Sequence, residues 1–328
     1  MKVANLRAYS LNQTSRTSHC VLILKQTNSF TFSGGAGGSA GLLHVAGVYA
    51  GYGKRDDTRA SLPNPLALSV SGDGVAFVAA GLSLRDGAWL ERLALPCAGT
   101  NATVEVKRYA HRQYKNVLVL QLQVFGATVK GYTCKVQFNR CVGKPGGVIT
   151  RPGPSYEVIS PEEPATPDFP KIPATVVAIA NDPIPPSIGF NDSVTSHAFL
   201  CVVRSTLEKG ITNSTATSVA NMDLATYKAM QPQDLWYSHV VAWSRVWGTT
   251  GGAGSGGGIE IGGNATLAAQ VNSSLYYMLS SVRADWPWGI SEGGIASNSY
   301  YGTHTGTFSH TDTHTCTHAT TRALFPTP

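Results

Sequence analysis

"TVEVKRYAHRQYKNVLVLQLQV", residues 103–124, alternates apolar and polar positions on both sides of a polar middle. Val104 and Val106 fall on one face against Glu105 and Lys107, and Leu118, Leu120, Leu122 and Val124 share a face. A period of two marks a strand with one buried side. The same texture recurs in LLHVAGVY (42–49), TVKGYTCKVQF (128–138), ATVVAIA (174–180) and HAFLCVVR (197–204), separated by turn residues. Many short strands without alternating helices predict an antiparallel β-sandwich over about residues 1–222 rather than βαβ units. GKPGGVITRPGPSYEVISPEEPATPDFPKIP (143–173) carries eight prolines and reads as a long surface excursion. Strands resume after it, so it is an insertion and not a domain boundary.

Beyond residue 222 the period lengthens to about 3.6. Asp234 is placed to cap a helix in which Trp236, Val240, Trp243 and Trp247 recur at helical steps, a stripe suited to packing against the sandwich. GTTGGAGSGGG (248–258) is a flexible connection. Asn264 then caps a second helix with Leu267, Val271, Leu275, Met278 and Val282 on one face. The expected division is therefore a sandwich over 1–222, a helical linker with its glycine-rich connection over 223–258, and a further helical unit over 259–328.

Composition narrows the function classes. The chain has 328 residues, 42% of them hydrophobic and 13% charged, as expected of a folded protein with a sizeable core. Its net charge is +6, but 25 Lys and Arg spread without a dense basic run do not make a nucleic-acid footprint. No apolar run approaches the ~20 residues of a membrane span. The first residues lack the apolar stretch of a signal peptide, VLIL being too short. Cys20, Cys97, Cys134, Cys141, Cys201 and Cys316 form no CxxC pair, which argues against a zinc knuckle or a compact disulfide scaffold. Sequons at Asn12, Asn101, Asn191, Asn213, Asn264 and Asn272 lean towards a lumenal or secreted chain, against the missing signal, so the compartment stays open.

Several stretches line up, in order, with one family. HVAGVYAG (44–51), TRASLPNPLALSV (58–70), KRYAHRQYKNVLVL (107–120) and AWSRVWG (242–248) resemble the sandwich and linker of glycoside hydrolase family 65. SSLYYMLSSVRADWPWGISEGGIASNSYYG (273–302) resembles the start of that family's catalytic barrel. The resemblance implies a galactose-mutarotase-like super-sandwich, a helical linker and an (α/α)6 barrel, of which 259–328 is a truncated start. It implies inverting hydrolysis of an α-glucosyl bond without a cofactor, on a glucoside such as glucosyl-galactosyl-hydroxylysine or trehalose. Inversion needs two carboxyl groups ~6.5–9.5 Å apart with water between them. In the family those carboxylates lie deeper in the barrel, so no catalytic residue is assigned and the chain is expected to be an N-terminal fragment without the acid. Phosphorolysis, or a non-catalytic sandwich that binds glycan or a partner, are the alternatives.

The candidate substrate contacts come from the same resemblance. Relatives carry a Tyr-Gly-His segment followed by Phe-Trp-Asp-Thr-(Glu/Asp)-Thr-Trp. Here Tyr301, Gly302, His304, Phe308 and Asp312 fit, while Ser309 and His310 replace the tryptophan and aspartate that grip glucose in relatives. The glycines, serines and asparagines of GISEGGIASNSYYG (289–302) suit a loop facing sugar hydroxyls. His310, His314 and His318, with Asp312 and Cys316, have a metal-like spacing. Threonine at nearly every second position disfavours the helix that would align them, so no metal is assigned and THTGTFSHTDTHTCTHATTR is read as a low-complexity tail. His111 and Arg112 are expected to hydrogen-bond within the sandwich, Arg59 to hold an ion pair or domain interface, and Glu292 to be a solvated loop residue.

Overall fold

Alternation of apolar side chains dominates the first two thirds of the chain, and strands follow it. In the computed structural model, residues 24–26, 30–33, 42–45, 47–48, 60, 62–97, 100–126, 131–140, 149–151, 155–159, 174–248, 259 and 261–281 are described. The strands are β1 (Leu24–Gln26), β2 (Phe30–Ser33), β3 (Leu42–Val45), β4 (Leu62–Pro63), β5 (Leu68–Ser71), β6 (Ala76–Ser83), β7 (Ala88–Cys97) and β8 (Thr100–Ala110). They continue with β9 (Val117–Phe125), β10 (Thr133–Arg140), β11 (Ile149–Arg151), β12 (Tyr156–Ile159), β13 (Val176–Asn181), β14 (Ser187–Asn191) and β15 (Ser196–Ser205). Helices α1 (Ala216–Lys228), α2 (Pro232–Val246) and α3 (Ala265–Ser281) follow.

The strands form sheets of order β1-β2-β3-β4, β14-β10-β5 and β11-β12-β13-β15-β9-β8-β7-β6, and every described pairing is antiparallel. Val104, Val106, Leu118, Leu120 and Leu122 of the eight-stranded sheet share one core with Leu43, Val45, Leu68, Val136 and Phe190 of the other two. This layering is consistent with a β-sandwich. Cys97, at the end of β7, forms a disulfide with Cys134 of β10, with 4.6 Å between their Cα atoms. It joins the eight-stranded sheet to its facing sheet, a cross-link that the scattered cysteine spacing did not announce.

The opposite face of the large sheet is covered by helices. Tyr109, Val117, Val119, Leu200 and Val202 pack against Ala216 and Ala220 of α1 and Leu235 of α2. β9 is therefore apolar on both faces over Val117–Leu120, and apolar–polar alternation holds only from Gln121 to Val124.

Three expectations need correction. Helical structure begins at Ala216, ahead of residue 222, because α1 faces the sheet with Ala216 and Ala220, which give a faint periodic signal. The proline-rich excursion contributes β11 and β12, which extend the sheet beside β13. Asp234 lies in the first turn of α2; Gln231 precedes the helix and Pro232 opens it, proline being well suited to that position. Asn264 does cap α3, its Oδ1 accepting from the Leu267 N–H at 2.9 Å.

Candidate functional site

Tyr301, Gly302, His304, Phe308 and Asp312 lie outside the described residues, as do the 289–302 loop, Arg59, Glu292 and the His310, His314 and His318 spacing. The described structure instead shows what holds α3, the helix that precedes that stretch in the sequence. Three elements meet there: the β6–β7 turn, the β8–β9 loop and helix α2, with α3 laid against them.

The β8–β9 loop is organised by His111, a fully buried residue. Its Nδ1 accepts from the backbone N–H groups of Gln113 (3.2 Å) and Tyr114 (3.0 Å). Its Nε2 therefore carries the proton and donates to the Leu235 carbonyl of α2 at 2.9 Å. His239, one turn along α2 and also fully buried, accepts at Nδ1 from the Arg112 N–H at 3.0 Å. The two imidazoles lie 5.5 Å apart. Both are used as neutral rings. Burial lowers the His111 pKa to about 4, partly opposed by its bond to Leu235. Burial also holds His239 well below the usual histidine range, and His111 adds to that effect.

Arg112 ties this loop to α3. Its Nη1 donates to the Leu279 carbonyl at 3.1 Å, and its guanidinium lies 4.9 Å from the centre of the Trp243 ring. Trp243 stacks on Tyr276 of α3 at 5.1 Å and on Trp247 at 6.2 Å. The Trp247 Nε1–H donates to the Leu84 carbonyl in the β6–β7 turn at 3.0 Å. Gly87 closes that turn at φ +59°, and a Cβ there would overlap the Trp243 indole. Positive φ and the close approach each require glycine.

The tryptophan stripe is thus a packing joint at Trp243 and Trp247, while in the first half of the helix the buried face falls one residue before Trp236 and Val240. Leu235, His239 and Trp243 are the buried residues of α2, while Trp236 and Val240 flank them. The same offset appears in α3, where Asn272, Tyr276 and Ser280 are buried and Leu267 is 42% exposed. Asn272 can be buried because its Oδ1 accepts from Ile259 N–H at 3.0 Å and its Nδ2 donates to the carbonyls of Ile259 and Ala268. His111 and Arg112 do hydrogen-bond structurally, His111 within the β8–β9 loop of the sandwich as expected, and the two residues also reach α2 and α3. His239 escaped the sequence pattern because an imidazole on an apolar face does not reveal its partners.

Beside the joint, Glu105 and Lys107 of β8 are also buried. Glu105 pairs with Arg92 at 2.8 Å and with Lys107 at 3.6 Å, and Lys107 stands 4.5 Å over the Trp236 ring. Burial lowers the lysine pKa against the opposing pull of Glu105. No cluster of His, Cys, Asp and Glu suited to a metal occurs among the described residues. No helix among them is long and apolar enough to cross a membrane.

No family model matches the chain. It is 27% identical over 283 residues to a protein-glucosylgalactosylhydroxylysine glucosidase of Dictyostelium discoideum, across 79% of this chain and 36% of that protein. A protein of the same name from Mus musculus is 25% identical over 278 residues, across 78% of this chain and 36% of its own length. Among solved structures, a protein assigned as a kojibiose phosphorylase from human microbiome superposes with a TM-score of 0.48 at 9% identity, over 80% of this chain and 40% of that one. The chain thus has relatives among the glycosidases, as its ordered motifs implied. In particular it is similar to the protein-glucosylgalactosylhydroxylysine glucosidases, and it spans about a third of the length of the two it matches.

Proposed function

We propose that the chain is the β-sandwich part of a glycoside hydrolase acting on α-glucosyl linkages, with glucosyl-galactosyl-hydroxylysine as the first substrate to test and trehalose as the second. The observation that carries this is the similarity to the Dictyostelium glucosidase over 283 residues, across 79% of this chain. The proposed division is a sandwich up to about residue 222, a linker over 223–258 and the start of an (α/α)6 barrel from 259. The Arg112–Leu279 and Trp243–Tyr276 contacts anchor the late part of α3 to the sandwich and linker. Tyr301, Gly302, His304, Phe308 and Asp312 then contact the glucosyl unit, and no catalytic carboxylate is assigned within residues 1–328.

The test is incubation of the purified chain with each glucoside, with and without inorganic phosphate, alongside binding measured by ligand-detected NMR. Binding without turnover, weakened by Phe308→Ala or Asp312→Asn, is the expected result. Turnover abolished by a substitution within residues 1–328 would place the acid inside this chain and overturn that part of the proposal. Glucose 1-phosphate released only with phosphate would replace hydrolysis by phosphorolysis. Absence of binding to either glucoside would favour a sandwich that serves a partner protein instead.

A further inference from the structure

We propose that this chain matures in an oxidising, glycosylating compartment and carries an N-linked glycan on Asn213. Two independent observations carry the inference. First, Cys97 and Cys134 come from different sheets yet meet with 4.6 Å between Cα atoms, within the span of a disulfide. The bond forms when the two thiols lose two electrons and two protons to a protein disulfide, which leaves as a dithiol, and such bonds persist where the surroundings are oxidising.

Second, the fold sorts the sequons. Asn272-Ser-Ser is closed to a glycan, because Asn272 is buried with both ends of its carboxamide bonded to backbone. Asn191 and Asn264 are exposed, and each Oδ1 holds local backbone, in the turn to Ser193 and Val194 and at the cap of α3, which does not engage the Nδ2 that a glycan would occupy. Asn101 stands within β8, paired opposite Pro96. Asn213 sits on the exposed turn before α1, with Ser214 exposed beside it and Thr215 as the sequon hydroxyl. In glycosylation the Asn213 Nδ2 bonds to the anomeric carbon of a lipid-diphosphate oligosaccharide. The C1–O bond breaks, the lipid diphosphate leaves, and an amide proton is released. An exposed turn leaves room for a bulky, solvated saccharide.

The experiment uses the protein isolated from the cells that make it. Thiols are alkylated before non-reducing digestion, and glycopeptides are released by peptide-N-glycosidase in heavy-oxygen water for mass spectrometry. A Cys97–Cys134 cross-linked peptide, a labelled aspartate at position 213 and an unlabelled Asn272 are expected. Asn213→Gln should remove one glycan mass and leave the thermal melt of the deglycosylated protein unchanged, since the side chain is exposed. Alkylated thiols at both cysteines, or an unmodified Asn213, overturns the proposal.

Discussion

Acidification tests the joint between α2 and the β8–β9 loop. His111 and His239 each accept backbone N–H groups at Nδ1, so protonation there replaces an acceptor with a donor facing another donor. A depressed folded-state pKa means that the unfolded chain binds protons first. The stabilisation is then complete above the ordinary histidine pKa and falls as pH drops towards the folded value. For His111 the interval runs from the ordinary 6.5 to about 4. At pH 5 the linkage amounts to a loss of ~2 kcal/mol relative to pH 8 from this residue. His239 acts in the same direction. Exposed carboxylates titrate mainly below ~4.5, so the window from pH 8 to pH 5 reports chiefly on histidine. Urea unfolding followed by tryptophan fluorescence at pH 8, 6 and 5 reads the change, provided the transition is two-state. His111→Asn retains an acceptor near the Nδ1 position and should shrink the slope. Stability that is flat between pH 8 and pH 5, or an unchanged slope in His111→Asn, would refute the role of neutral buried imidazoles in docking α2.

Gly87→Ala should lower stability by ~2–5 kcal/mol, combining the left-handed backbone penalty with overlap against Trp243, and near-UV circular dichroism should show the indole environment change. Replacing Cys97 and Cys134 together by serine should cost ~4 kcal/mol, the loop-closure entropy for a separation of 37 residues, and the wild type in reductant should match the variant in urea unfolding. Tyr276→Ala should cost about 3–5 kcal/mol, as for other buried large aromatics. Leu267→Ala, at a 42% exposed position, should stay within ~0.5 kcal/mol; equal thermal shifts for these two variants would contradict the observed rotation of α3.

The strands were legible in the sequence because a side chain's face depends on its parity. Leu118, Leu120 and Leu122 point into one core whatever the strand's neighbours turn out to be. The resemblance was legible in short segments that follow one another in order, among them KRYAHRQYKNVLVL at the β8–β9 hairpin and AWSRVWG at the end of α2. The candidate sugar contacts from Tyr301 to Asp312 rest on motif alone, since they fall outside the described residues. What alternation could not specify was partnership between segments distant in the chain. Hydrophobic spacing placed the buried faces of α2 and α3 one residue away from Leu235 and His239 and from Asn272 and Tyr276, although Trp243 and Trp247 are buried as it implied. Histidine, asparagine and serine are scored as polar by any pattern, yet they are buried when backbone groups from another element complete their hydrogen bonds. The same holds for Arg112 reaching Leu279 and for Cys97 meeting Cys134. Sequence determined which residues could face a core. Tertiary structure alone decided which polar groups would find a partner there, because a hydrogen bond or disulfide forms only when the fold brings both ends within reach.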